Sequence, residues 1–136
     1  MRRLRILVAD DHPQVREALQ KLLDRDFEVI GCVGDGRALV EAAVELKPDL
    51  VVLDVGLPLM NGLEAGRALK KLMPEVKLVY LTMNADPDIA REAFRIGASD
   101  YLRKSSMGQE LVQAIQRATD TNSRATPLPS GEGRIV

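Results

Sequence analysis

Leu50-Val51-Val52-Leu53 is an unbroken apolar run that ends in a carboxylate, Asp54. Pro48-Asp49 bounds it before and Gly56-Leu57-Pro58 bounds it after. A short apolar run framed by turn signals reads as a strand buried on both faces. Asp54 then stands where the strand leaves the core, at its C-terminal tip. In an open α/β sheet, that edge is where ligands bind. A lone Asp there can also cap a turn. What separates the two readings is whether other charged residues fall at strand tips.

Along the chain they do. Ile6-Leu7-Val8-Ala9 is a second apolar run, and Asp10 and Asp11 end it. Pro13 is placed to open a helix, and Val15, Ala18, Leu19, Leu22 and Leu23 recur at helical spacing. Phe27 to Val33 reads as a strand that alternates in part and carries Glu28, which suits a sheet edge. Gly34-Asp35-Gly36 is a turn. Leu39, Ala42, Ala43 and Leu46 mark a second helix, stopped by Pro48. After the central strand, Pro58 and Asn61-Gly62 form a loop. Leu63, Gly66, Leu69, Leu72 and Met73 mark a third helix, which Pro74 ends. Val76 to Leu81 is a strand stopping at Thr82. Asn84, Asp86 and Pro87 open a fourth helix, closed by Gly97. Ala98 to Leu102 is a short strand followed by Arg103-Lys104, and Leu111, Val112, Ile115 and Ala118 make a fifth helix.

Strand and helix alternate five times, which demands a parallel sheet with helices on both faces: a doubly wound α/β fold. With 136 residues the chain is one domain's worth. It is expected to divide into a folded unit over 1–118 and a linker or disordered tail over 119–136, where periodicity stops and Pro, Ser, Thr and Gly accumulate. A formal net charge of −1 gives no general attraction to nucleic acid or anionic membrane. Cys32 is the single cysteine, so no intrachain disulfide forms. No apolar run approaches the roughly 20 residues that span a bilayer, and the basic start is followed by too short an apolar run for a secretion signal. The expected location is the cytoplasm.

Four of the five strands thus end in a candidate chemical group: Asp10 and Asp11, Asp54, Thr82 and, just past the last strand, Lys104. Packed carboxylates repel unless a cation lies among them, and oxygen ligands favour a hard ion such as Mg²⁺. A lysine opposite can meet an incoming phosphoryl group as a point charge.

Five pieces carry a resemblance: Val8-Ala9-Asp10-Asp11-His12-Pro13, Pro48 to Asp54, Leu57-Pro58-Leu59-Met60-Asn61-Gly62, Leu81-Thr82-Met83 and Gly97 to Lys104. Any one alone is weak; all five in this order and spacing are strong. From about Arg5 to Ala118 the chain resembles the receiver domain of bacterial two-component response regulators. It is most similar to the subfamily whose receivers precede a LuxR-type (NarL/FixJ-like) helix-turn-helix domain. The resemblance implies a flavodoxin-like, five-stranded parallel sheet of order 2-1-3-4-5 with five helices. It implies Asp54 as phosphoacceptor from a sensor histidine kinase. Asp10, Asp11, Asp54 and the backbone carbonyl of Gly56 would bind Mg²⁺. Lys104 would contact one phosphoryl oxygen, and Thr82 would swing in to another. Tyr101 would follow inward, reshaping the face made by the fourth helix, fifth strand and fifth helix. The expected partners are the kinase and a second copy of the chain, with DNA reached only through a further C-terminal domain. No enzymatic turnover is expected beyond slow self-dephosphorylation.

From the residues alone, other readings stay open. Asp11 serves equally as a helix cap, Thr82 as a β-branched strand residue, and Tyr101 as edge packing. His12, with no second histidine, reads as a plain loop residue. Cys32 reads as a small buried apolar residue. Three positions depart from the receiver pattern. Ser105 replaces the common proline after the lysine, so a trans bond is expected, since a cis one costs about 2.5–4 kcal/mol. Gly56 brings no side chain to the site. Met83 is bulkier than usual. These last two, with Asn84, would flank the path of attacking water and set the aspartyl-phosphate lifetime. Competing functions are a stand-alone single-domain regulator, a degenerate receiver working without phosphate, an aspartyl phosphatase and a flavodoxin-type ligand module. The phosphatase lacks its second acid, because Gly56 holds that position. The ligand module lacks a Gly-rich loop after the first strand.

Overall fold

The computed structural model describes residues 3–120. Its elements run β1 (Arg5–Ala9), α1 (Pro13–Leu23), β2 (Glu28–Val33), α2 (Gly36–Leu46), β3 (Leu50–Asp54), α3 (Gly62–Leu72), β4 (Lys77–Thr82), α4 (Pro87–Ile96), β5 (Asp100–Arg103) and α5 (Met107–Thr119), with a single 3₁₀ turn over Lys104–Ser106. All the strand pairings are parallel, and the order is β2-β1-β3-β4-β5. β2 is therefore one of the two edge strands, as Glu28 suggests, and Glu28 is exposed. α5 runs through Thr119 with Asp120 at its end; the expected tail beyond that point lies outside the described residues.

Side-chain alternation divides the core between the two faces of the sheet. Leu7, Val51, Leu53, Leu78 and Tyr80 meet Leu39 and Ala43 of α2, Ala65 and Leu69 of α3, and Ala90 and Ala93 of α4. Ile6, Val8, Leu50, Val52, Val79 and Leu81 meet Leu19 and Leu23 of α1 and Leu111, Ala114 and Ile115 of α5. β3 is central, and all five of its residues are buried. Fully burying each such aliphatic side chain is worth about 1.5–3 kcal/mol, so β3 is firmly anchored in the core. Ala18, although in register with the apolar stripe of α1, is exposed; the buried stripe follows Val15, Leu19, Leu22 and Leu23. Leu72, at the end of the α3 stripe, is also exposed.

Local chemistry starts and stops the helices where the sequence places turn residues. Pro13 and Pro87 occupy the first turns of α1 and α4. The Asp35 carboxylate accepts from the Ala38 N–H at the start of α2. Asn61 and Glu64 form a capping box on α3. Gly97 closes α4 with φ of 117°, a conformation that glycine adopts without strain. No peptide bond among the described residues is cis, in keeping with the trans bond expected at Ser105.

Candidate functional site

Each strand delivers its tip residue to one edge. Asp10 continues β1 by one residue; its N–H donates to the Val33 carbonyl (3.0 Å), and its side chain has no solvent exposure. Asp10 Oδ1 accepts from the His12 N–H (2.9 Å), and the Asp10 carbonyl accepts from Arg16 Nη1 (2.7 Å). The acid is thus fixed from both sides before any ligand arrives. Asp54 ends β3 and is 7% exposed. Thr82 ends β4, is 8% exposed, and its hydroxyl donates to the Asn84 carbonyl (3.0 Å).

Lys104 reaches into this edge from the 3₁₀ turn after β5. Its Nζ stands 2.6 Å from Asp10 Oδ2 and 3.6 Å from Asp54 Oδ2, with the side chain 7% exposed. Lys104 Nζ and Asp10 Oδ2 meet as a buried ion pair. The resemblance implies that Lys104 would face an incoming phosphoryl group; in the structure its ammonium lies against the buried Asp10 carboxylate. Asp11, His12, Asp54, Val55, Gly56, Thr82, Met83, Asn84 and Lys104 line one open cleft of about 360 Å³. The three positions expected to flank attacking water, Gly56, Met83 and Asn84, all lie on that wall.

Burial pushes the Asp54 carboxyl above its ordinary range; the Asp10 and Asp11 carboxylates push the same way, while Lys104 and the Gly56 N–H oppose them. A protonated Asp54 is a poor nucleophile, so added positive charge would favour its chemistry. The carboxylates of Asp10, Asp11 and Asp54 outnumber the single ammonium of Lys104, which stands between Asp10 Oδ2 and Asp54 Oδ2. This oxygen-rich, negatively charged donor set fits a hard divalent cation. Among the described residues, one group of three can bring its ligand atoms within 4.8 Å of one another: Asp10, Asp11 and His12. Asp54 is tied to that group through Lys104.

His12, read as a plain loop residue, lies against the acids, its Nδ1 3.3 Å from Asp10 Oδ1 and 3.2 Å from Asp11 Oδ1. Asp11 makes no cap on α1, which starts at Pro13 without a side-chain cap. The Tyr101 ring is already buried, 2% exposed, on the face toward α4, and its hydroxyl has no hydrogen-bond partner. Cys32 is partly buried, and burial raises its thiol above the ordinary range. Two residues touching the site's framework escape sequence reading, Arg16 and Tyr80. A basic residue on an amphipathic helix and an aromatic inside an apolar strand carry no signal of their own. A glycine inside a helical pattern, Gly66, does, and it lies against the Tyr80 hydroxyl.

A parallel sheet of order 2-1-3-4-5 with an acid-lined cleft at its C-terminal edge defines a flavodoxin-like α/β protein whose chemistry is gathered at the strand tips. The chain belongs to the response regulator receiver domain family, whose family model matches residues 6–116. It is 35% identical over 118 residues to the uncharacterized transcriptional regulatory protein YxjL of Bacillus subtilis, covering 85% of this chain and 54% of that protein. Among solved structures, it matches the LuxR-family two-component response regulator of Aurantimonas at 33% identity and a TM-score of 0.81, covering 96% of this chain and 94% of the other. The signal receiver domain of the NarL response regulator of Mycobacterium tuberculosis matches at 29% identity and a TM-score of 0.80, covering 85% and 94%. These relatives are of the LuxR/NarL type, which bears out the subfamily resemblance. The chain spans about half the length of the regulatory proteins it matches. No helix among the described residues is long and apolar enough to cross a membrane.

Proposed function

We propose that this chain is the phosphorylation switch of a two-component signalling protein, with Asp54 as the acceptor. The observation that carries the reading is the triangle of Asp54, Lys104 and Asp10, with Thr82 on the same cleft wall. An Asp54 carboxylate oxygen attacks the phosphorus of a kinase phosphohistidine. The P–O bond forms as the P–N bond breaks, and the imidazole nitrogen leaves with the electron pair and takes up a proton. Transfer of this kind needs mainly positioning and charge neutralisation. Mg²⁺ on Asp10, Asp11, Asp54 and the Gly56 carbonyl would supply part of that neutralising charge. Lys104 supplies the rest by shifting from Asp10 toward the phosphoryl oxygens.

The response then runs through Thr82. Its hydroxyl leaves the Asn84 carbonyl and donates to the phosphoryl group. The Tyr101 ring already lies inside, so the hydroxyl exchange is the step that remains. A ligand shifts such an equilibrium only by its differential affinity for the two states, and the bond to Asn84 is what the phosphoryl group must outcompete. The length of the relatives supports an output through a DNA-binding domain outside this chain, controlling transcription, with dimerisation of the receiver as one route. The kinase partner, the cytoplasmic location and slow self-dephosphorylation as the sole turnover belong to the same reading.

The test is intact mass after incubation with Mg²⁺ and acetyl phosphate, for the native chain and for Asp54→Ala. One phosphoryl adduct, absent in the variant and without Mg²⁺, is expected. Absence of an adduct from both acetyl phosphate and a phosphorylated histidine kinase would leave a degenerate, phosphate-independent interaction module.

A further inference from the structure

Tyr80 is completely buried in the interior of β4, yet its polar end is not wasted. Its hydroxyl donates to the Gly62 carbonyl (2.7 Å), at the first residue of α3. The phenol reaches that carbonyl by passing Gly66, where an added Cβ would stand 2.0 Å from the Tyr80 oxygen. Gly62 in turn presses on the acceptor's own backbone. Its N–H donates to the Val55 carbonyl (2.8 Å), and a Cβ on Gly62 would stand 2.2 Å from the Asp54 carbonyl oxygen. The circuit closes through the Val55 N–H, which donates to the carbonyl of Leu81, the residue after Tyr80 (3.1 Å).

The side chain that anchors this circuit therefore lies on the α3 face, while Lys104 and the acids grip the Asp54 carboxylate at the sheet's edge. Burial holds the Tyr80 phenol well above its ordinary pKa, so it stays a donor throughout the working pH range. Threading a tyrosine past Gly66 for packing alone would be wasteful, because an apolar residue fills such a core position without needing a polar partner.

We propose that Tyr80 is a positioning residue for Asp54: through Gly62, its hydroxyl fixes the Asp54–Val55 peptide and thereby the stance of the acceptor carboxylate toward Lys104. This inference rests on the phosphoacceptor reading above. Tyr80→Phe keeps the ring and removes the tie. The maximal rate of Asp54 phosphorylation should fall by on the order of tenfold, since small displacements of a reacting group are costly. The half-saturating acetyl phosphate concentration should stay unchanged, because the donor's own contacts are intact.

The experiment is a mass-spectrometric time course on the full 136-residue chain with Mg²⁺, across donor concentrations, held well below the melting temperature of each variant. Gly66→Ala is the second variant. Its methyl meets the phenol oxygen and must push it off Gly62, so it should reproduce the slow maximal rate by a different chemical change. A native chain that is phosphorylated while both variants match its rate would overturn the inference; a lowered melting temperature at an unchanged rate would do the same, by showing a merely structural role. If the native chain itself takes no phosphoryl group from small donor or kinase, the acceptor reading fails and this inference falls with it. The two failures are thereby distinguishable.

Discussion

Lys104 Nζ lies a full ångström closer to Asp10 (2.6 Å) than to Asp54 (3.6 Å). The ammonium that faces Asp54 is first the counter-ion of a fully buried carboxylate. Removing it should therefore cost stability as well as function. Lys104→Met leaves the buried Asp10 carboxyl with its His12 contacts but without its ammonium partner, a loss of about 3–5 kcal/mol for a buried pair broken on one side. A divalent ion would replace the missing charge, so Mg²⁺ should recover more stability in the variant than in the native chain. Urea denaturation of both proteins with and without Mg²⁺ measures this; equal Mg²⁺ gains would contradict it.

Asp54 carries a raised carboxyl pKa relative to its ordinary value of 3.8. A carboxylate raised by folding favours the folded state below the unfolded pKa, and that benefit is lost as pH rises through the folded value. At neutral pH the native Asp54 is therefore a net burden on stability. Asp54→Asn should stabilise the apo protein near pH 7 by about 0.5–2 kcal/mol, a usual size when a strained functional residue is relieved. The gain should shrink as pH falls toward and below the ordinary aspartate value. Melting curves across pH give the comparison, and a gain that grows with acidification would be incompatible with it.

Thr82 spends its hydroxyl on Asn84 in the resting state. Thr82→Val, close in shape but without the hydroxyl, should change stability by only about 0.5–1.5 kcal/mol. It should still accept a phosphoryl group on Asp54. What it should lose is any phosphorylation-dependent change in self-association, read by sedimentation-velocity centrifugation of native and variant chains after phosphorylation.

Met83 is 68% exposed on the wall of the cleft. Met83→Ala should leave stability within about 0.5 kcal/mol, as for other surface positions, and shorten the lifetime of the phosphorylated form by opening the water path. Following the decay of the adduct mass after donor removal tests the idea, and identical lifetimes would refute it.

Gly62→Ala should destabilise the fold, because its methyl would overlap the Asp54 carbonyl. Overpacking against fixed backbone costs about 1–3 kcal/mol. Urea midpoints of Gly62→Ala against Ala68→Gly, an ordinary helix-interior change in the same element, show whether the contact is as rigid as described.

The fold was legible because its signals are local and repeat: apolar runs of four to six residues, helical spacing, and Pro, Gly or Asn between them. The site was legible because Asp10, Asp54 and Thr82 fall where those runs end, so one-dimensional order already encodes a common edge. Contacts between side chains that approach from different elements were not legible. Nothing local tells that His12 leans on Asp10 and Asp11, or that Lys104 prefers Asp10. The Tyr101 ring's buried position and the passage of Tyr80 across Gly66 depend on two elements meeting at a distance and angle that no short window contains.

The Gly36 N–H donates to the Pro58 carbonyl (3.1 Å), and a Cβ at Gly36 would overlap the Met60 carbonyl. The start of α2 is thereby joined to the loop that follows Asp54, which the Gly62 contacts and the capping box of α3 hold from the other end. On the β4 side, the loop after Thr82 is held by the hydroxyl bond to Asn84 and the Asp86 turn onto Asp88. The cleft is thus a door with one jamb set in masonry and the other leaf hung on a latch. A charge placed on Asp54 would meet the tied α2–α3 wall on one side and the Thr82 latch on the other, so its effect would run around the sheet toward α4.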